Sequence, residues 1–274
     1  MPRAFLMPWL ALLWAQALAP CVAQGGEPTN AKEASEKKAA EDTAVDEAFA
    51  KWKAALPPEQ QAWETVLEEN LGAFYLPLYK RDKVKGSETA WDYLRDEPGL
   101  PRVLLIGDSI SRGYTLAVRK ALAGKANVHR APENCGPTAN GIKKLDIWLG
   151  RGKWDVIHFN FGIHDRATPP AEYEKRLGEI IARMKKTGAR LIWASSTPLP
   201  PESKYGDPAA IVARNEIAAS LATKRGIPIN DLYSSIAPHL AECQNPNDCH
   251  FNSRGYDLLG GRVAEAIEPH LKRR

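Results

Sequence analysis

The chain has 274 residues and a formal net charge of +4, which falls by one if residues 1–23 are removed, since Arg3 is their only charged side chain. That charge is small for this length, and basic residues are interspersed with acidic ones, as in Lys80-Arg81-Asp82-Lys83. No basic stripe of the kind that binds nucleic acid is present, so we predict no nucleic-acid partner.

The N-terminal segment has the pattern of an export signal. Residues 4–19 are apolar, follow the basic Arg3 and precede Cys21-Val22-Ala23, which resembles a small-residue cleavage site. The apolar run is shorter than the roughly 20 residues that a membrane span needs. We predict a signal peptide over residues 1–23, a secreted or periplasmic protein, and no stable membrane insertion after cleavage. Pro20 argues against a lipoprotein, and an uncleaved anchor is the alternative.

Two further segments precede the first predicted strand. Residues 24–43 are rich in Ala, Glu and Lys and poor in large apolar side chains, which is typical of a disordered linker. From residue 44 to about 80, apolar residues recur three and four positions apart, as on an amphipathic helix. We predict a helical extension over residues 44–99 whose aromatic side chains pack against the following domain. The stripe consists of Phe49, Trp52, Leu56, Trp63, Val66, Leu67, Leu71 and Phe74.

Residues 100–274 alternate between strand and helix patterns. Strands are predicted over an apolar run ending at Ile106 and over 126–130, 154–161, 190–195 and 227–229. Helices are predicted over 115–122, 142–149, 170–186, 209–224 and 256–271. This alternation predicts an α/β domain with a parallel sheet covered on both faces. No Gly-x-Gly-x-x-Gly or P-loop occurs and we predict no cofactor; the absence of Gly-x-Ser-x-Gly argues against the α/β-hydrolase fold.

Two segments carry the residue types of a serine hydrolase. The first strand ends at Gly107-Asp108-Ser109, a turn that places a serine hydroxyl at the carboxyl edge of the sheet. Asp248 and His250 lie two residues apart near the C-terminus. An imidazole can accept the serine proton, and a carboxylate can fix the imidazole tautomer. Each segment also has a simpler interpretation, since the tripeptide is common and a loop Asp often caps a helix.

Two more polar loops follow predicted strands. Asn134-Cys135-Gly136-Pro137-Thr138 is one, and Gly162-Ile163-His164-Asp165 is the other. Acyl transfer requires hydrogen-bond donors where negative charge develops on oxygen, and N–H groups at glycine turns can supply them. Each loop alone could be an ordinary strand-to-helix connection, but the four polar segments together favour one active site.

From about residue 101 to the C-terminus, these four segments resemble those of the SGNH (GDSL-type) hydrolases, in the same order. That family consists of esterases and lipases with a three-layer α/β/α, flavodoxin-like fold. The resemblance implies that Ser109 is the nucleophile and that its N–H is an oxyanion donor. It makes Gly136, chosen over Gly141, the second donor, and Asp248 and His250 the acid and base.

Two positions depart from the family pattern. Where the family has Gly-x-Asn-Asp, this chain has His164 in the asparagine position, so the third donor role passes to His164 and brings pH dependence with it. Asn160 is nearby but is expected within the strand. Where the family has Asp-x-x-His, this chain has Asn247, so Asp248, the only acidic side chain close by, is assigned as the acid.

Three cysteines follow the predicted cleavage site, and export permits a disulfide. A Cys243–Cys249 disulfide would close the loop that carries the acid and the base. A Cys135–Cys249 pair would join that loop to the proposed oxyanion loop, and the third possibility is that all three stay reduced. No Cys-x-x-Cys or His/Cys cluster with zinc spacing occurs, so we predict no metal.

The resemblance implies a carboxylic ester hydrolase with a Ser-His-Asp triad. Predicted secretion and the lack of a long apolar lid favour short acyl groups, such as acetyl, on carbohydrate. Trp148, Trp154 and Trp193 are candidates to stack on sugars, although the last two lie in predicted strands and fit a core. The alternatives are an O-acyltransferase that uses the same serine and a non-catalytic glycan-binding protein. The oligomeric state is not predicted.

Overall fold

The computed structural model describes the backbone of residues 28–272 and the side chains from residue 33 onward. The predicted signal peptide, residues 1–23, lies outside the described residues. Within residues 28–272, no helix combines the length and the apolar character needed to cross a membrane.

The predicted parallel sheet is confirmed. It has five strands in the order β2-β1-β3-β4-β5, and all neighbouring strands run parallel. Their bounds are β1 Arg102–Ile106, β2 Asn127–Arg130, β3 Val156–Phe159, β4 Arg190–Ala194 and β5 Ile229–Asn230. Because the strands are parallel, the loops that follow them lie at the same edge of the sheet, where open α/β folds bind their ligands.

The helices and short 3₁₀ turns follow in chain order. Ten α-helices occur among the described residues: α1 Pro28–Ala54, α2 Pro58–Asn70, α3 Gly72–Val84, α4 Ser109–Ala121, α5 Thr138–Leu149, α6 Pro170–Lys185, α7 Pro208–Lys224, α8 Leu232–Ile236, α9 Leu240–Cys243 and α10 Ser253–Ile267. The 3₁₀ turns are Ile163–Asp165, Ala237–His239 and Glu268–His270.

Alternate residues of the strands point into two separate hydrophobic clusters, which makes the α/β domain three layers thick. Leu104 and Ile106 of β1 belong to the cluster that includes side chains of α5, α6 and α7. Val103 and Leu105 belong to the cluster that includes side chains of α4, α8 and α10. These strand residues are at most 1% exposed, as expected for a sheet with both faces covered.

The prediction of a disordered linker over 24–43 is wrong for residues 28–43, which lie within α1. Ala, Glu and Lys are strong helix formers, so the segment is helical without an apolar face. The side chains of residues 33–41 are all exposed. Contacts separate the chain into two units, one up to Thr43 and one from Ala44 onward.

The helical extension has its own hydrophobic cluster, built from Phe49, Leu67, Leu71, Tyr79 and Trp91. The predicted stripe is correct for the first three of these residues. It is wrong for Phe74, which is 71% exposed. The helix is interrupted between α2 and α3, where Gly72 has a φ of +69°, and this interruption shifts the helical phase so that Tyr79 faces the cluster instead.

Glu64 makes the stability of this cluster pH-dependent. It is 2% exposed, and both carboxyl oxygens lie within 2.9 Å of the Tyr79 hydroxyl. Burial raises the pKa of Glu64 to about 7, against the opposing effect of the Tyr79 hydrogen bond. Because the folded-state pKa exceeds the unfolded value of 4.5, stability present below pH 4.5 is lost as the pH rises through 7.

Glu64→Gln should therefore stabilise the protein at pH 8 by up to about 3 kcal/mol and have little effect at pH 4.5. Thermal unfolding of both proteins at the two pH values measures this difference. Glu69→Gln, an exposed neighbour on α2, is the matched control. A Glu64→Gln shift that is the same at both pH values would contradict the assignment.

Candidate active site

Ser109 is the first residue of α4, six residues before the helix start predicted from the sequence. The earlier start results from Asp108, whose side chain caps the helix by accepting a hydrogen bond from the N–H of Ile110 at 2.9 Å. Gly107 is required here because a Cβ atom would lie 2.8 Å from the hydroxyl oxygen of Ser111. The turn places the Ser109 hydroxyl directly after β1, at the carboxyl edge of the sheet.

Arg130, at the end of β2, holds this turn in place through hydrogen bonds to its backbone. It is 2% exposed, and its guanidinium donates hydrogen bonds to the carbonyl oxygens of Gly107 at 3.0 Å and Asp108 at 2.9 Å. It also contacts the Ser111 hydroxyl. Burial lowers the pKa of Arg130. Its role at this turn was not anticipated from the sequence, because Arg130 is 21 residues from Ser109 and belongs to no motif.

The structure brings Ser109, His250 and Asp248 together in one line. The Ser109 hydroxyl lies 2.8 Å from Nε2 of His250, and Nδ1 of the same ring lies 2.6 Å from a carboxylate oxygen of Asp248. With Nδ1–H donating to Asp248, Nε2 is free to accept the hydroxyl proton of Ser109. This arrangement can generate a serine nucleophile.

The loop before α10 explains why the acid is two residues before the histidine. Asn247 has a φ of +53°, a left-handed conformation that Asn tolerates better than most residues. The following Asp248 accepts hydrogen bonds from both the backbone N–H of His250, at 3.1 Å, and its ring. One carboxylate oxygen therefore orients both the backbone and the side chain of His250, and Asn247 makes no hydrogen bond to the ring.

Electrostatics keep the Asp248 carboxylate ionised. Burial opposes ionisation, but the hydrogen bonds from His250 outweigh it and lower the pKa of Asp248 to about 2. Lys204 contributes from the loop between β4 and α7, with its ammonium 3.6 Å from the carboxylate. The Tyr205 ring on the same loop packs edge-on against the His250 ring, 6.2 Å between centroids. Neither residue was singled out in the sequence, since the loop has no recognisable motif.

Gly136, the predicted second oxyanion donor, lies on a loop that is hydrogen-bonded to the nucleophile turn. The N–H of the preceding Cys135 donates to the carbonyl oxygen of Gly107 at 3.2 Å. Gly136 itself has a φ of +64°, which favours glycine, and its N–H has no acceptor within the described part of the chain. Asp165 holds the end of this loop by accepting from the N–H and hydroxyl of Thr138 at 2.7 and 2.6 Å. Gly141 lies inside α5.

The two candidates for a third donor have different environments. The Asn160 amide is engaged, donating to the carbonyl oxygen of Ala194 at 2.8 Å and to the Ser196 hydroxyl at 3.1 Å. His164 is exposed on the 3₁₀ turn, and its ring has no hydrogen-bond partner among the described residues. Of the two side chains, His164 is therefore the one whose N–H donor has no protein partner in the described part of the chain.

The three cysteines are free thiols, so neither predicted pairing is formed. Each lies in a different hydrophobic cluster: Cys135 on the α5–α7 side of the sheet, Cys243 on the opposite side, and Cys249 with Ile163 and Leu199.

Among residues 33–272, one group of potential metal ligands stands close together, namely Asp248, Cys249 and His250, with ligand atoms within 4.8 Å of one another. Asp248 and His250 are already hydrogen-bonded to each other, in the same series of hydrogen bonds that reaches Ser109. A metal ion bound by His250 would compete with that hydrogen bond.

The fold is of the three-layer, flavodoxin-like α/β/α type, and the site at the carboxyl edge of its sheet has the residue types of a serine hydrolase. The profile of the GDSL-like Lipase/Acylhydrolase family matches residues 105–258, more than half of the chain. The chain belongs to this family, which confirms the resemblance identified from the sequence.

Solved structures share the fold of this chain. The chain is similar to a lipase/acylhydrolase from Enterococcus faecalis, with a TM-score of 0.58, 22% identity, and coverage of 64% of this chain and 99% of that one. An acetyl xylan esterase, AlAXEase, has a TM-score of 0.53 at 15% identity, covering 61% and 99%. TesA has a TM-score of 0.53 at 21% identity, covering 62% and 99%. At these identities the similarity establishes the fold. A comparison with curated proteins finds no match.

Proposed function

We propose that this protein is a serine esterase that hydrolyses carboxylic esters through Ser109, His250 and Asp248. The observation that supports this most strongly is the continuous hydrogen-bonded line from the Ser109 hydroxyl through the His250 ring to Asp248, with distances of 2.8 and 2.6 Å. Membership of the family indicates the reaction class, and the two hydrogen bonds account for the activation of the serine hydroxyl as a nucleophile.

The proposed reaction has two halves. Ser109 attacks the ester carbonyl carbon while His250 accepts the hydroxyl proton, and Asp248 stabilises the resulting imidazolium. Collapse of the tetrahedral intermediate breaks the bond to the alcohol oxygen, which takes the proton from His250. Water then attacks the acyl-enzyme with His250 again as base, releasing the acid and restoring Ser109.

The tetrahedral oxyanion would be stabilised by the N–H groups of Ser109 and Gly136. Both stand at or just before helix N-termini, those of α4 and α5, where the helix dipole favours negative charge. His164 is proposed as a third donor on the basis of its free, exposed ring and its place in the family pattern.

For the substrate, we propose a short acyl ester, acetyl in particular, on a carbohydrate outside the cytoplasm. The predicted signal peptide supports the location, and a structural neighbour is named an acetyl xylan esterase. The tryptophans do not supply an obvious sugar platform. Trp148 and Trp193 are at most 2% exposed, and one face of Trp154 is covered by the Arg102 guanidinium at 4.2 Å.

Hydrolysis of p-nitrophenyl acetate, butyrate and octanoate, together with acetate release from acetylated xylan, tests this proposal. We expect kcat/KM to fall with acyl length and acetate to be released by the wild type but not by Ser109→Ala. A preference for octanoate would contradict the short-acyl assignment. Transfer of acetyl to an added sugar in preference to water would identify an acyltransferase instead.

A further inference from the structure

The position of the His250 ring depends on more than its two hydrogen bonds. Its nitrogens lie in line between Asp248 and Ser109, at 2.6 and 2.8 Å, but the side chain is 29% exposed. A change of rotamer would carry the ring out of that line and into solvent. The side chains that contact the ring outside this line therefore affect how much of the time His250 can act as a base.

Tyr205, on the loop between β4 and α7, contacts the His250 ring. The two rings meet edge-on, at an interplanar angle of 81° and with centroids 6.2 Å apart. Within residues 33–272, no other aromatic ring packs against His250. Cys249 also touches the ring, with its Sγ atom 3.5 Å from Nδ1 and 3.9 Å from Nε2. Together these two side chains limit the movement of the imidazole.

A small hydrophobic cluster holds Tyr205 beside the site. The Tyr205 side chain packs against Ile163, Leu199, Ile211 and Cys249, which are each at most 5% exposed. These four residues come from the 3₁₀ turn after β3, the loop after β4, helix α7 and the catalytic loop. Because closely packed side chains have few alternative positions, the cluster fixes the Tyr205 ring against the imidazole.

The backbone around Tyr205 is fixed as well. The N–H of Tyr205 donates to the Ser203 hydroxyl at 3.0 Å, and the N–H of Gly206 donates to the Ser203 carbonyl oxygen at 3.2 Å. Lys204 connects this loop to the catalytic acid, since its ammonium lies 3.6 Å from the Asp248 carboxylate and 5.1 Å from the centroid of the Tyr205 ring. The loop therefore contacts both the base and the acid.

We propose that Tyr205 is a positioning residue that keeps the His250 ring in line between Asp248 and Ser109. This inference rests on the proposed esterase function, in which His250 accepts and returns a proton. Tyr205 exchanges no proton itself and acts by raising the fraction of time that the imidazole spends in the productive rotamer. Misplacement of a catalytic group by about 1 Å can cost about a hundredfold in rate, so this restraint matters for turnover.

Tyr205→Ala removes the ring, whereas Tyr205→Phe keeps the ring and removes the hydroxyl. We expect kcat for p-nitrophenyl acetate to fall about tenfold in Tyr205→Ala, which is the shift in rotamer population that loss of one aromatic pair allows, with KM unchanged. Tyr205→Phe should retain wild-type kcat. Tyr233→Ala is the matched control, because Tyr233 is a half-buried ring packed against the same cluster. It should also retain wild-type kcat, and both alanine variants should lower the thermal unfolding midpoint equally.

A second readout reports on His250 directly and does not require turnover. The Nδ1 proton lies in a 2.6 Å hydrogen bond to the Asp248 carboxylate, a short charge-assisted bond that should give a far-downfield proton NMR signal. We expect this signal in the wild type, in Tyr205→Phe and in Tyr233→Ala. In Tyr205→Ala it should be broadened by exchange with water, because the ring leaves the line more often.

Wild-type kcat and an unchanged NMR signal in Tyr205→Ala would overturn the inference without affecting the proposed function. A loss confined to KM would also overturn it, since Tyr205 would then be a substrate contact. So would an equal fall of kcat in Tyr233→Ala, because the effect would then belong to the whole cluster. If the wild type shows no Ser109-dependent turnover, the proposed function fails, and the NMR comparison alone decides whether Tyr205 positions the ring.

Discussion

Ser109→Ala is expected to lower kcat for p-nitrophenyl acetate by about 10⁶, the size of effect seen when a serine hydrolase loses its nucleophile. The reason is that no other hydroxyl among the described residues is hydrogen-bonded to the His250 ring. The alanine side chain fits the same space, and the helix cap depends on Asp108 rather than on the serine hydroxyl. The variant should therefore fold normally and still bind substrate.

Initial rates over a range of substrate concentrations measure this effect, with Ser234→Ala as a control that removes an exposed serine hydroxyl on α8. The control should retain wild-type kcat. A kcat of Ser109→Ala within about tenfold of wild type would contradict the proposed mechanism, which predicts a fall in kcat of about 10⁶.

Asp248→Asn should lower kcat by about 10⁴. An amide at this position can donate as well as accept, so it no longer selects the His250 tautomer with a proton on Nδ1, and it does not stabilise the imidazolium. KM should change little, since Asp248 acts on His250 rather than on the substrate. Because the pKa of Asp248 is about 2, the carboxylate is ionised throughout the assay range, and its own protonation reduces activity only near that pH.

Asn247→Gly is the matched control for this variant. Asn247 occupies the position of the acid in the family pattern, and glycine accepts its φ of +53° without strain. We expect activity within a few-fold of wild type. If Asn247→Gly lost as much activity as Asp248→Asn, the loop rather than the carboxylate would be responsible for the effect.

Parts of the site could be predicted from the sequence because their signals are local. Ser109 follows a buried apolar run and a glycine, and Asp248 and His250 lie on one short loop. Parallel strands bring the segments that follow them to a common edge, so an α/β pattern predicts that such residues meet. The structure places Ser109 and His250, 141 positions apart, within hydrogen-bond distance.

Other parts could not be predicted because they depend on packing between distant segments. Arg130 holds the turn before Ser109 only because β2 pairs with β1, and no sequence motif marks this arginine. Phe74 was misassigned for a different reason, because the interruption of the helix at Gly72 shifts the helical phase. The exposed start of α1 is a third case that the sequence did not predict. Low apolar content indicates that a segment has no packed face, but it does not indicate that the segment is not helical.

The most direct test of the Ser109–His250 pairing is labelling with a fluorophosphonate followed by peptide mapping. We predict that the wild type is modified at Ser109 and that His250→Ala reacts far more slowly at the same residue, because the imidazole no longer accepts the hydroxyl proton. Modification at a different residue, or equal labelling of Ser109 in the wild type and in His250→Ala, would contradict the account.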